Sequence, residues 1–540
     1  MHPVAAAINE KRTLDLARDY DARPDPFLMK DMDVAVARIL SAIKNSEKIA
    51  AWTDYDCDGI PAGALLSDFF KMIDYPLRSY IPERSEGYGL NEAGIKKLAD
   101  EGVTLIVTAD CGITDVDEVA YAATLGVEVI LSDHHLPQAV LPAAVAVLNP
   151  HRADNTYPYT ELCGTGVAFK LVEALIQKGD FAVTTDQIKW LLDLVALATV
   201  ADMVELTGEN RTLAHWGLVV MRKGRRAGLK ALLDKQRIPL HSLTEDDIAF
   251  SIAPKINASS RMKSPLLGLE LLTATDPVRA AALATELIDL NGSRKLEGAR
   301  VGKEVKRRLD GAQLSSVIVM GNSEWNPALL GIAATGVVET YQRTVCLWGK
   351  DGELIRGSCR SDGSVNIVSL MTSASHLFDD FGGHEMSGGF SLKADAIHSL
   401  PQALIDAYER CLNGTDQPVV RTQAVATTLT LAEATDTLYE SLRLLAPFGM
   451  GNDKPVFRFT ARVERVMKFG AGKDHARISV SDESGNSIDA IAFFVTRAPY
   501  RDALEVLTSG DTITLDATLE RSYFGNKREL RLRVEDLRVE

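Results

Sequence analysis

Clustered cysteines are missing from this sequence of 540 residues, whose six cysteines include no Cys-x-x-Cys pair. A disulfide framework and a structural zinc site both need cysteines that recur at short, regular spacings, so we expect neither. We expect the cysteines to be reduced thiols in a reducing compartment. Long apolar runs are missing too, and residues 1–21 lack the pattern of a secretory signal. These absences predict a cytoplasmic protein that does not associate with membranes.

An excess of positive charge is also missing, since the net charge is -15. Net charge is a weak guide when the charge is uneven, because a basic groove can lie on an acidic body. Basic clusters occur at residues 222–226, 303–308 and 521–533, although a solvated surface is the simpler interpretation of each. Charge alone therefore neither excludes nor establishes a nucleic-acid partner.

What the sequence contains is a set of acids and histidines at the ends of three apolar runs. Asp54, Asp56 and Asp58 follow residues 48–52, Asp110 follows residues 103–108, and Asp133-His134-His135 follows residues 126–132. Short apolar runs separated by segments of helix length are typical of a parallel sheet, where ligands bind beyond the carboxyl ends of the strands. Carboxylates with imidazole form a ligand set for a hard or borderline divalent metal.

A fourth segment adds to this set. The apolar run 190–202 predicts a buried helix that ends at Asp202, and a buried carboxylate needs a partner. Asp193 in the same run has no motif around it, and we expect it to be capped or exposed. A single Asp-x-Asp after a strand is commonly a turn or a helix N-cap, but four such segments in order favour a metal site. Two ions about 3.5–4 Å apart would suit phosphoryl chemistry.

These segments resemble the motifs of a known family. Asp54-Tyr55-Asp56-Cys57-Asp58-Gly59, Asp110-Cys111-Gly112, Asp133-His134-His135 and Ala198-Thr199-Val200-Ala201-Asp202 are similar to the four motifs of DHH phosphoesterases, specifically the RecJ-like single-stranded-DNA exonucleases. The resemblance continues through Ile81-Pro82-Glu83-Arg84, residues 254–262 and 356–361, Phe381-Gly382-Gly383-His384 and Pro447-Phe448-Gly449-Met450-Gly451-Asn452. It covers residues 22–540.

The resemblance implies an α/β fold with additional domains. A DHH-type parallel-sheet domain would occupy residues 1–275, and a long connecting helix would occupy residues 276–312. A smaller α/β DHH-associated domain would occupy residues 313–415. The period-two apolar pattern in residues 456–519 independently predicts a small closed β domain. The resemblance implies that this domain is an OB-like nucleic-acid-binding barrel at residues 420–540. The motif at residues 447–452 would open the barrel.

The resemblance also implies roles for individual residues. Asp56, Asp58, Asp110, His134 and Asp202 would hold two Mn²⁺ or Mg²⁺ ions, with Asp110 as the bridge. His135 would act beside the metals or face the scissile phosphate, and Asp133 would orient an imidazole. Asp54 would be either a structural or a catalytic group. The expected DNA contacts are Arg84, Arg261, Ser358, Arg360, Gly383 and His384, with Phe469, Tyr523 and Phe524 beside Lys473, Lys527 and Arg528 as candidates in the barrel.

The predicted function is metal-dependent hydrolysis of single-stranded DNA from the 5′ end, in DNA repair and recombination. A monomer is expected, with a helicase and a single-strand-binding protein as candidate partners. Two alternatives remain open: a DHH phosphodiesterase of cyclic dinucleotides or short oligonucleotides, and a non-catalytic Cdc45-like DNA-binding scaffold. The terminal β domain argues against the first alternative, and the complete set of acids argues against the second. Departures from the family pattern at Trp52, Cys57, Ser260 and Asn326 affect the expected rate and DNA contacts.

Overall fold

The computed structural model describes residues 1–413, 424–470, 472–496, 498–522 and 528–540. These residues form two compact units. The first unit is Asp15–Arg294 with Ala446–Asn452, and the second unit is Met1–Leu14, Lys295–Leu445 and Asp453–Glu540. Helix α1 (Pro3–Arg12) lies in the second unit. Across the described ranges, no helix combines the length and the apolar character needed to cross a bilayer.

A five-stranded sheet forms the centre of the first unit. Its strands are β1 (Lys48–Thr53), β2 (Leu77–Tyr80), β3 (Val103–Ala109), β4 (Glu128–Ser132) and β5 (Ala146–Leu148). All neighbouring strands are parallel, in the order β2-β1-β3-β4-β5. The chain moves outward to β2 after β1 and then returns to the other side at β3. A reversal of this kind leaves a crevice beyond the carboxyl ends of β1 and β3.

Helices cover both faces of this sheet, as its two apolar faces require. The helices of this unit, some of which pack on other helices, are α2 (Met32–Lys44), α3 (Gly59–Met72), α4 (Glu92–Asp100), α5 (Val116–Thr124), α6 (Gly164–Lys178), α7 (Thr185–Ile188), α8 (Leu192–Ala201), α9 (Gly208–Met221), α10 (Ala227–Gln236), α11 (Glu245–Asp247), α12 (Ala253–Met262) and α13 (Leu266–Thr273). Residues from α3, α6 and α8, including Phe69, Phe169 and Val195, join one core cluster, while Ile95 of α4 and Val119 of α5 join another.

Helix α8 is apolar on all sides and is buried accordingly. The expectation that Asp193 would be capped or exposed is wrong. Asp193 is buried, and its two carboxylate oxygens accept hydrogen bonds from Nε and Nη2 of Arg226 at 2.7 and 3.0 Å. Arg226 also binds Asp68 at 2.8 Å. One residue of the basic cluster at 222–226 is therefore a buried partner for two acids and not a solvated cation.

The long helix predicted between the lobes is present as α14 (Pro277–Leu309). Leu283 and Leu287 pack in the core of the first unit, and Val301 and Val305 pack in a core of the second unit. The apolar side chains at the start of this helix thus pack in one core cluster, and those near its end pack in another. This arrangement agrees with the predicted connecting helix of the fold class.

The second unit contains a mixed sheet in the order β6-β7-β8-β10-β9. Its elements are β6 (Val317–Gly321), α15 (Pro327–Tyr341), β7 (Thr344–Asp351), β8 (Leu354–Arg360), α16 (Ile367–Thr372), β9 (Phe378–His384), β10 (Ser387–Leu392) and α17 (Leu400–Leu412). Strands β6 and β7 are parallel, and the remaining pairs are antiparallel.

Two cysteines of this sheet are paired, which the sequence did not lead us to expect. Cys346 of β7 lies directly opposite Cys359 of β8, and the two form a disulfide. The expectation that all cysteines would be free is therefore wrong at this pair. The reason is the register of a long antiparallel ladder, which brings residues that are 13 positions apart into one cross-strand pair. Cys57, Cys111, Cys163 and Cys411 are free.

The C-terminal part of the second unit is a closed barrel. Its elements are β11 (Val425–Thr428), α18 (Asp436–Arg443), β12 (Val456–Phe469), β13 (His475–Ser481), β14 (Ser487–Ala492), α19 (Arg501–Val506), β15 (Thr512–Ser522) and β16 (Glu529–Val539). Strand β12 pairs with both β13 and β15, which closes the ring β12-β13-β14-β16-β15. The predicted small closed β domain, and with it the predicted fold class, is confirmed.

One short segment lies in a different unit from the one that we expected. The motif at residues 447–452 was expected to open the barrel, but Ala446–Asn452 belongs to the first unit. The Leu206 amide donates to the Met450 carbonyl at 2.7 Å, and the Phe448 amide donates to Glu245 at 3.1 Å. One backbone hydrogen bond and one hydrogen bond to a side-chain carboxylate thus explain the placement of the segment.

Candidate active site

The four predicted segments meet beyond the carboxyl ends of the parallel strands. Asp54, Asp56 and Asp58 follow β1, and Asp110 follows β3 directly. Asp133-His134-His135 follows β4, and Asp202 is the C-cap of α8. Because β1, β3 and β4 are neighbours in the sheet, their ends place these side chains in one crevice.

His134 lies among three of the carboxylates. Its Nε2 is 3.2 Å from Oδ1 of Asp110, 3.6 Å from Oδ2 of Asp202 and 3.7 Å from Oδ2 of Asp58. Three groups of side chains could each hold a metal ion, because the ligand atoms within a group all lie within 4.8 Å of one another. The groups are Asp58, His134 and Asp202; Asp54, Asp56 and Asp110; and Asp110, His134 and His135. Asp110 and His134 each occur in two groups, so the groups overlap as a binuclear site requires.

The backbone around Asp110 and Asp56 is tightly determined. Asp110 has φ 67, in the left-handed region that a residue with a side chain seldom adopts, and its amide donates to the Ser132 carbonyl at 3.0 Å. Oδ1 of Asp56 accepts hydrogen bonds from the amides of Asp58 and Gly59 at 2.7 and 3.2 Å. The strained turn after β3 and the turn after β1 thus fix the directions of both acids.

Asp58 is held by an element that the sequence analysis did not assign to the site. Its Oδ2 accepts from the Gly164 amide at 2.6 Å, and its Oδ1 accepts from the Thr165 amide at 2.7 Å. These amides are the first of α6, where unpaired N–H groups favour a negative charge. The only sequence signal was the run Cys163-Gly164-Thr165-Gly166 before an apolar helix.

Asp133 orients His135. Oδ1 of Asp133 lies 2.8 Å from Nδ1 of His135, and Oδ2 accepts from the Ile113 amide at 2.9 Å. Burial alone would lower the pKa of His135, but the hydrogen bond and charge of Asp133 raise it to about 9. Tyr88, a second residue that the sequence analysis missed, lies 3.1 Å from the same ring nitrogen through its hydroxyl.

The chemistry of this cluster fits divalent cations. Burial and the charges of neighbouring aspartates raise the pKa of Asp54, Asp110 and Asp202 well above the usual range of a carboxyl group. Nε2 of His134 and Oδ1 of Asp54 are buried and accept or donate no hydrogen bond among the described residues. Cations between these atoms would satisfy the orphaned ligands and offset the repulsion of the acids. Asp54 reaches the cluster as directly as Asp56 does.

Two of the predicted DNA contacts lie together in the first unit. The Arg84 guanidinium stacks 4.1 Å from the Tyr55 ring, and its Nε donates to the Ser260 hydroxyl at 3.2 Å. Burial and the positive charges of Arg84 and Arg294 lower the pKa of Arg261 to about 9. Guanidinium groups that repel one another at a partly buried position favour an anion such as phosphate.

The other predicted DNA contacts lie in the second unit. Ser358 and Arg360 are on β8, and Gly383 and His384 are on β9, with β10 between the two strands. A Cβ on Gly383 would overlap the Ser387 carbonyl of β10, so close packing of two strands already explains this glycine. Burial lowers the pKa of Arg360.

Three of the residues that were expected to depart from the family pattern have defined places in the structure. Cys57 is buried in the core of the first unit. Ser260 accepts the hydrogen bond from Arg84. Asn326 is the N-cap of α15, where its side-chain oxygen accepts from the Ala328 amide at 3.0 Å.

The barrel presents an aromatic cluster centred on His475. The rings of Phe469, Phe493 and Phe494 lie 5.3, 5.5 and 5.0 Å from the His475 ring. Arg533 lies 5.6 Å above the Phe493 ring. Phe469 was predicted, whereas the other members were not. The predicted Tyr523, Phe524 and Lys527 lie outside the described residues, and Lys473 and Arg528 are exposed.

Comparison with known proteins identifies the family. The family model for the DHH family N-terminal domain matches residues 48–199, the DHHA1 domain matches residues 314–412, and the RecJ OB domain matches residues 425–536. The single-stranded-DNA-specific exonuclease RecJ of Bacillus subtilis is 32% identical over 99% of this chain and 68% of its own length. The protein of the same name from Dickeya dadantii is 31% identical over 97% of this chain and 93% of its own length.

Solved structures agree with these sequence relatives. The crystal structure of RecJ in complex with Mn²⁺ from Thermus thermophilus matches with a TM-score of 0.82 at 25% identity, covering 99% of this chain and 76% of that chain. A structure of exonuclease RecJ bound to manganese matches with a TM-score of 0.61 at 29% identity, covering 71% of this chain and 95% of that chain. The chain therefore belongs to the RecJ family of DHH phosphoesterases.

Proposed function

We propose that this chain is a metal-dependent exonuclease that hydrolyses single-stranded DNA from its 5′ end. The observation that carries the proposal is the overlap of three potential ligand groups around Asp110 and His134 at the strand ends. Family membership supports the substrate, since the relatives are named single-stranded-DNA-specific exonucleases. The 5′ polarity rests on the family resemblance and is the finer part of the proposal.

The residues present fit two Mn²⁺ or Mg²⁺ ions. Asp58, His134 and Asp202 would hold one ion, and Asp54 and Asp56 would hold the other, with Asp110 shared between them. Imidazole among carboxylates favours Mn²⁺ over Mg²⁺ to some extent. When bound, such a pair activates water and stabilises charge on the phosphoryl oxygens. The metal-bound relatives in the structural comparison support this choice of ions.

The chain's own residues supply positioning around these ions. The α6 amides hold Asp58 in place, and Asp133 holds the imidazole of His135 toward the reacting phosphate. Arg84 and Arg261 would bind phosphate oxygens of the strand. Ser358, Arg360, Gly383 and His384 are proposed as further DNA contacts in the second unit.

The barrel would bind the strand away from the cut. Base stacking on exposed aromatic side chains beside basic residues is a sequence-tolerant way to hold single strands. Phe469 and Phe494 are 36% and 56% exposed, which leaves ring faces for bases. A monomeric state, a cytoplasmic location, and a helicase or single-strand-binding partner are proposed on the family resemblance.

The test uses long single strands labelled at the 5′ or the 3′ end, incubated with the full chain and Mn²⁺. We expect early release of the 5′ label as mononucleotide while the 3′ label stays on long products. Asp110→Asn should lower the rate at least about a thousandfold, because the shared ligand loses its charge. Asp117→Asn, an exposed acid on α5, is the matched control.

Two results would contradict the proposal. A clear preference for a dinucleotide over the long strand would favour the small-substrate phosphodiesterase. Binding of the strand without any Mn²⁺-dependent degradation would favour the non-catalytic scaffold.

A further inference from the structure

Trp52 connects the interior of the first unit to a loop beside the active centre. The side chain is completely buried and stacks on the Tyr80 ring with 4.2 Å between the ring centroids. Its indole Nε1 donates a hydrogen bond of 3.1 Å to the Gly89 carbonyl. A Cβ on Gly94 would overlap the indole, so the surrounding helix α4 is shaped to admit this large side chain.

The loop that Trp52 holds is Gly87–Leu90. Gly87 and Gly89 have φ 100 and 81, which only glycine adopts without strain. The Leu90 amide donates to Oδ2 of Asp115 at 2.6 Å, so the end of the loop has a second anchor. Trp52 and Asp115 thus fix two consecutive residues just after Tyr88, and this limits where Tyr88 lies.

Tyr88 in turn contacts the active centre. Its hydroxyl donates to the Asp110 carbonyl at 3.2 Å, and its ring meets the His135 ring edge to face at 5.7 Å. Asp133 binds His135 through one ring nitrogen, which leaves the imidazole free to tilt about that hydrogen bond. The Tyr88 ring restricts this tilt from the side.

We propose that Trp52 is a positioning residue that fixes the Gly87–Leu90 loop, so that Tyr88 holds His135 in its working orientation. This inference rests on the proposed nuclease function, because the effect is expected in the rate of phosphodiester hydrolysis. Trp52 touches no reacting atom, and it acts only through the loop.

The test compares Trp52→Phe with Trp216→Phe in the full chain. Phenylalanine keeps a ring against Tyr80 but removes the N–H donor. Trp216 is the control for the loss of an indole donor alone, since its Nε1 donates a hydrogen bond of 2.8 Å to the Arg18 carbonyl in the same unit, at a position where the side chain is partly exposed. We expect Trp52→Phe to lower kcat about threefold to tenfold with little change in KM or in Mn²⁺ dependence, and Trp216→Phe to leave kcat near that of the wild type.

A double-mutant cycle with Tyr88→Ala, which removes the ring that contacts His135, separates positioning from general loss of stability. If Trp52 acts through Tyr88, the double variant has the same kcat as Tyr88→Ala alone. Asp115→Ala, which removes the second anchor, should give the same pattern and replaces Trp52→Phe if that variant does not fold. Equal effects of Trp52→Phe and Trp216→Phe, or multiplicative effects in the cycle, would overturn the inference. An inactive wild type would instead refute the proposed function.

Discussion

Negative charge at close range defines the residues of the active centre. Asp54, Asp110 and Asp202 all have a raised pKa, because burial and their neighbours oppose ionisation. Hydrogen bonding alone would not require so many carboxylates at close range, because their mutual repulsion opposes ionisation. The crowding is useful when cations share the acids, and this is why the metal-ion interpretation fits the residue scale best.

His215 allows a prediction about pH. Burial and the charges of Arg18, Arg222 and Arg211 lower the pKa of His215 to about 4, and its Nδ1 lies 3.1 Å from Nη1 of Arg18. The unfolded chain takes up this proton near pH 6.5, so the folded state loses stability as the pH falls from about 6.5 to 4. Stability from this residue is fully present above that window.

We therefore expect the stability of the wild type relative to His215→Gln to decrease by about 1–2 kcal/mol from pH 7 to pH 4. Denaturant unfolding at each pH measures this difference. A constant difference between the wild type and His215→Gln would show that Arg18 does not depend on a neutral imidazole.

For individual residues, the sequence indicated which side chains belong to the site, but it did not indicate their hydrogen-bond partners. Strand and helix ends could indicate the acids and histidines as a set, because those ends converge by a general rule. The choice of Asp56, Asp58, Asp110, His134 and Asp202 as metal ligands came from the family resemblance. Asp193 could not be placed, since its partner Arg226 is 33 positions away and reaches it only in the folded unit. Partners that are distant in sequence leave no local pattern.

Among the elements, the start of helix α6 has the most direct influence on the site. Its first two amides bind both oxygens of Asp58. A Cβ on Gly164 would overlap the side chain of Asp110, whereas a Cβ on Gly166 would meet Leu162 at an ordinary 3.5 Å. The helix therefore approaches the acids as closely as glycine permits.

Gly164→Ala should lower kcat about a hundredfold or more, because displacement of Asp110 by a fraction of an ångström disturbs the ligand geometry. Gly166→Ala in the same helix should retain near wild-type activity. Steady-state rates with Mn²⁺ and thermal unfolding of both variants provide the measurement. Full activity in Gly164→Ala would mean that α6 can move away without consequence.

In the barrel, the alternation of apolar and polar residues predicted some strands but not others. Strands β12 to β15 alternate apolar and polar residues, so the period of two predicted a closed β domain. Strand β16 carries Arg531 and Arg533, which belong to the basic cluster at residues 521–533, and a solvated surface was the simpler interpretation of that cluster. Its apolar positions become clear only when it is paired with β14 and β15.

Phe494 gives a test of the barrel surface. Its φ is 54, its amide donates to Nδ1 of His475 at 3.0 Å, and its ring projects outward. Phe494→Ala should raise KM about fivefold or more on long single strands, with little change on strands too short to reach the barrel, because one stacking partner is lost. Val506→Ala, another exposed apolar residue of the barrel, is the control. Equal KM changes on long and short strands would contradict a stacking role.

At the scale of the whole molecule, each compact unit is built from segments that are not consecutive in the sequence. The predicted domain limits at 1–275, 276–312, 313–415 and 420–540 treat the sequence as consecutive blocks. The first unit instead includes Ala446–Asn452, where the Pro447 carbonyl accepts from Nη1 of Arg211 at 3.3 Å. Local sequence patterns could not reveal this return of the chain, because backbone carbonyls carry no signature.

Two truncated chains test this assignment. A chain of residues 1–452 and a chain of residues 1–445 both lack strands β12 to β16, which form the closed ring of the barrel, and differ only in the returning segment. We expect the longer one to be more stable by about 2–4 kcal/mol, since the shorter one loses the hydrogen bonds to Arg211, Leu206 and Glu245. Denaturant unfolding measures the difference, and equal stabilities would refute the contribution of the segment.

The returning segment also has a consequence during synthesis on the ribosome. Residues 15–294 leave the exit tunnel long before residues 446–452. The last hydrogen bonds of the first unit can therefore form only after residues 295–445 have also been synthesised. Until then the Leu206 amide and the Glu245 carboxylate lack the partners that they have in the finished unit. The first unit therefore reaches its final set of hydrogen bonds only after residues 446–452 have been synthesised.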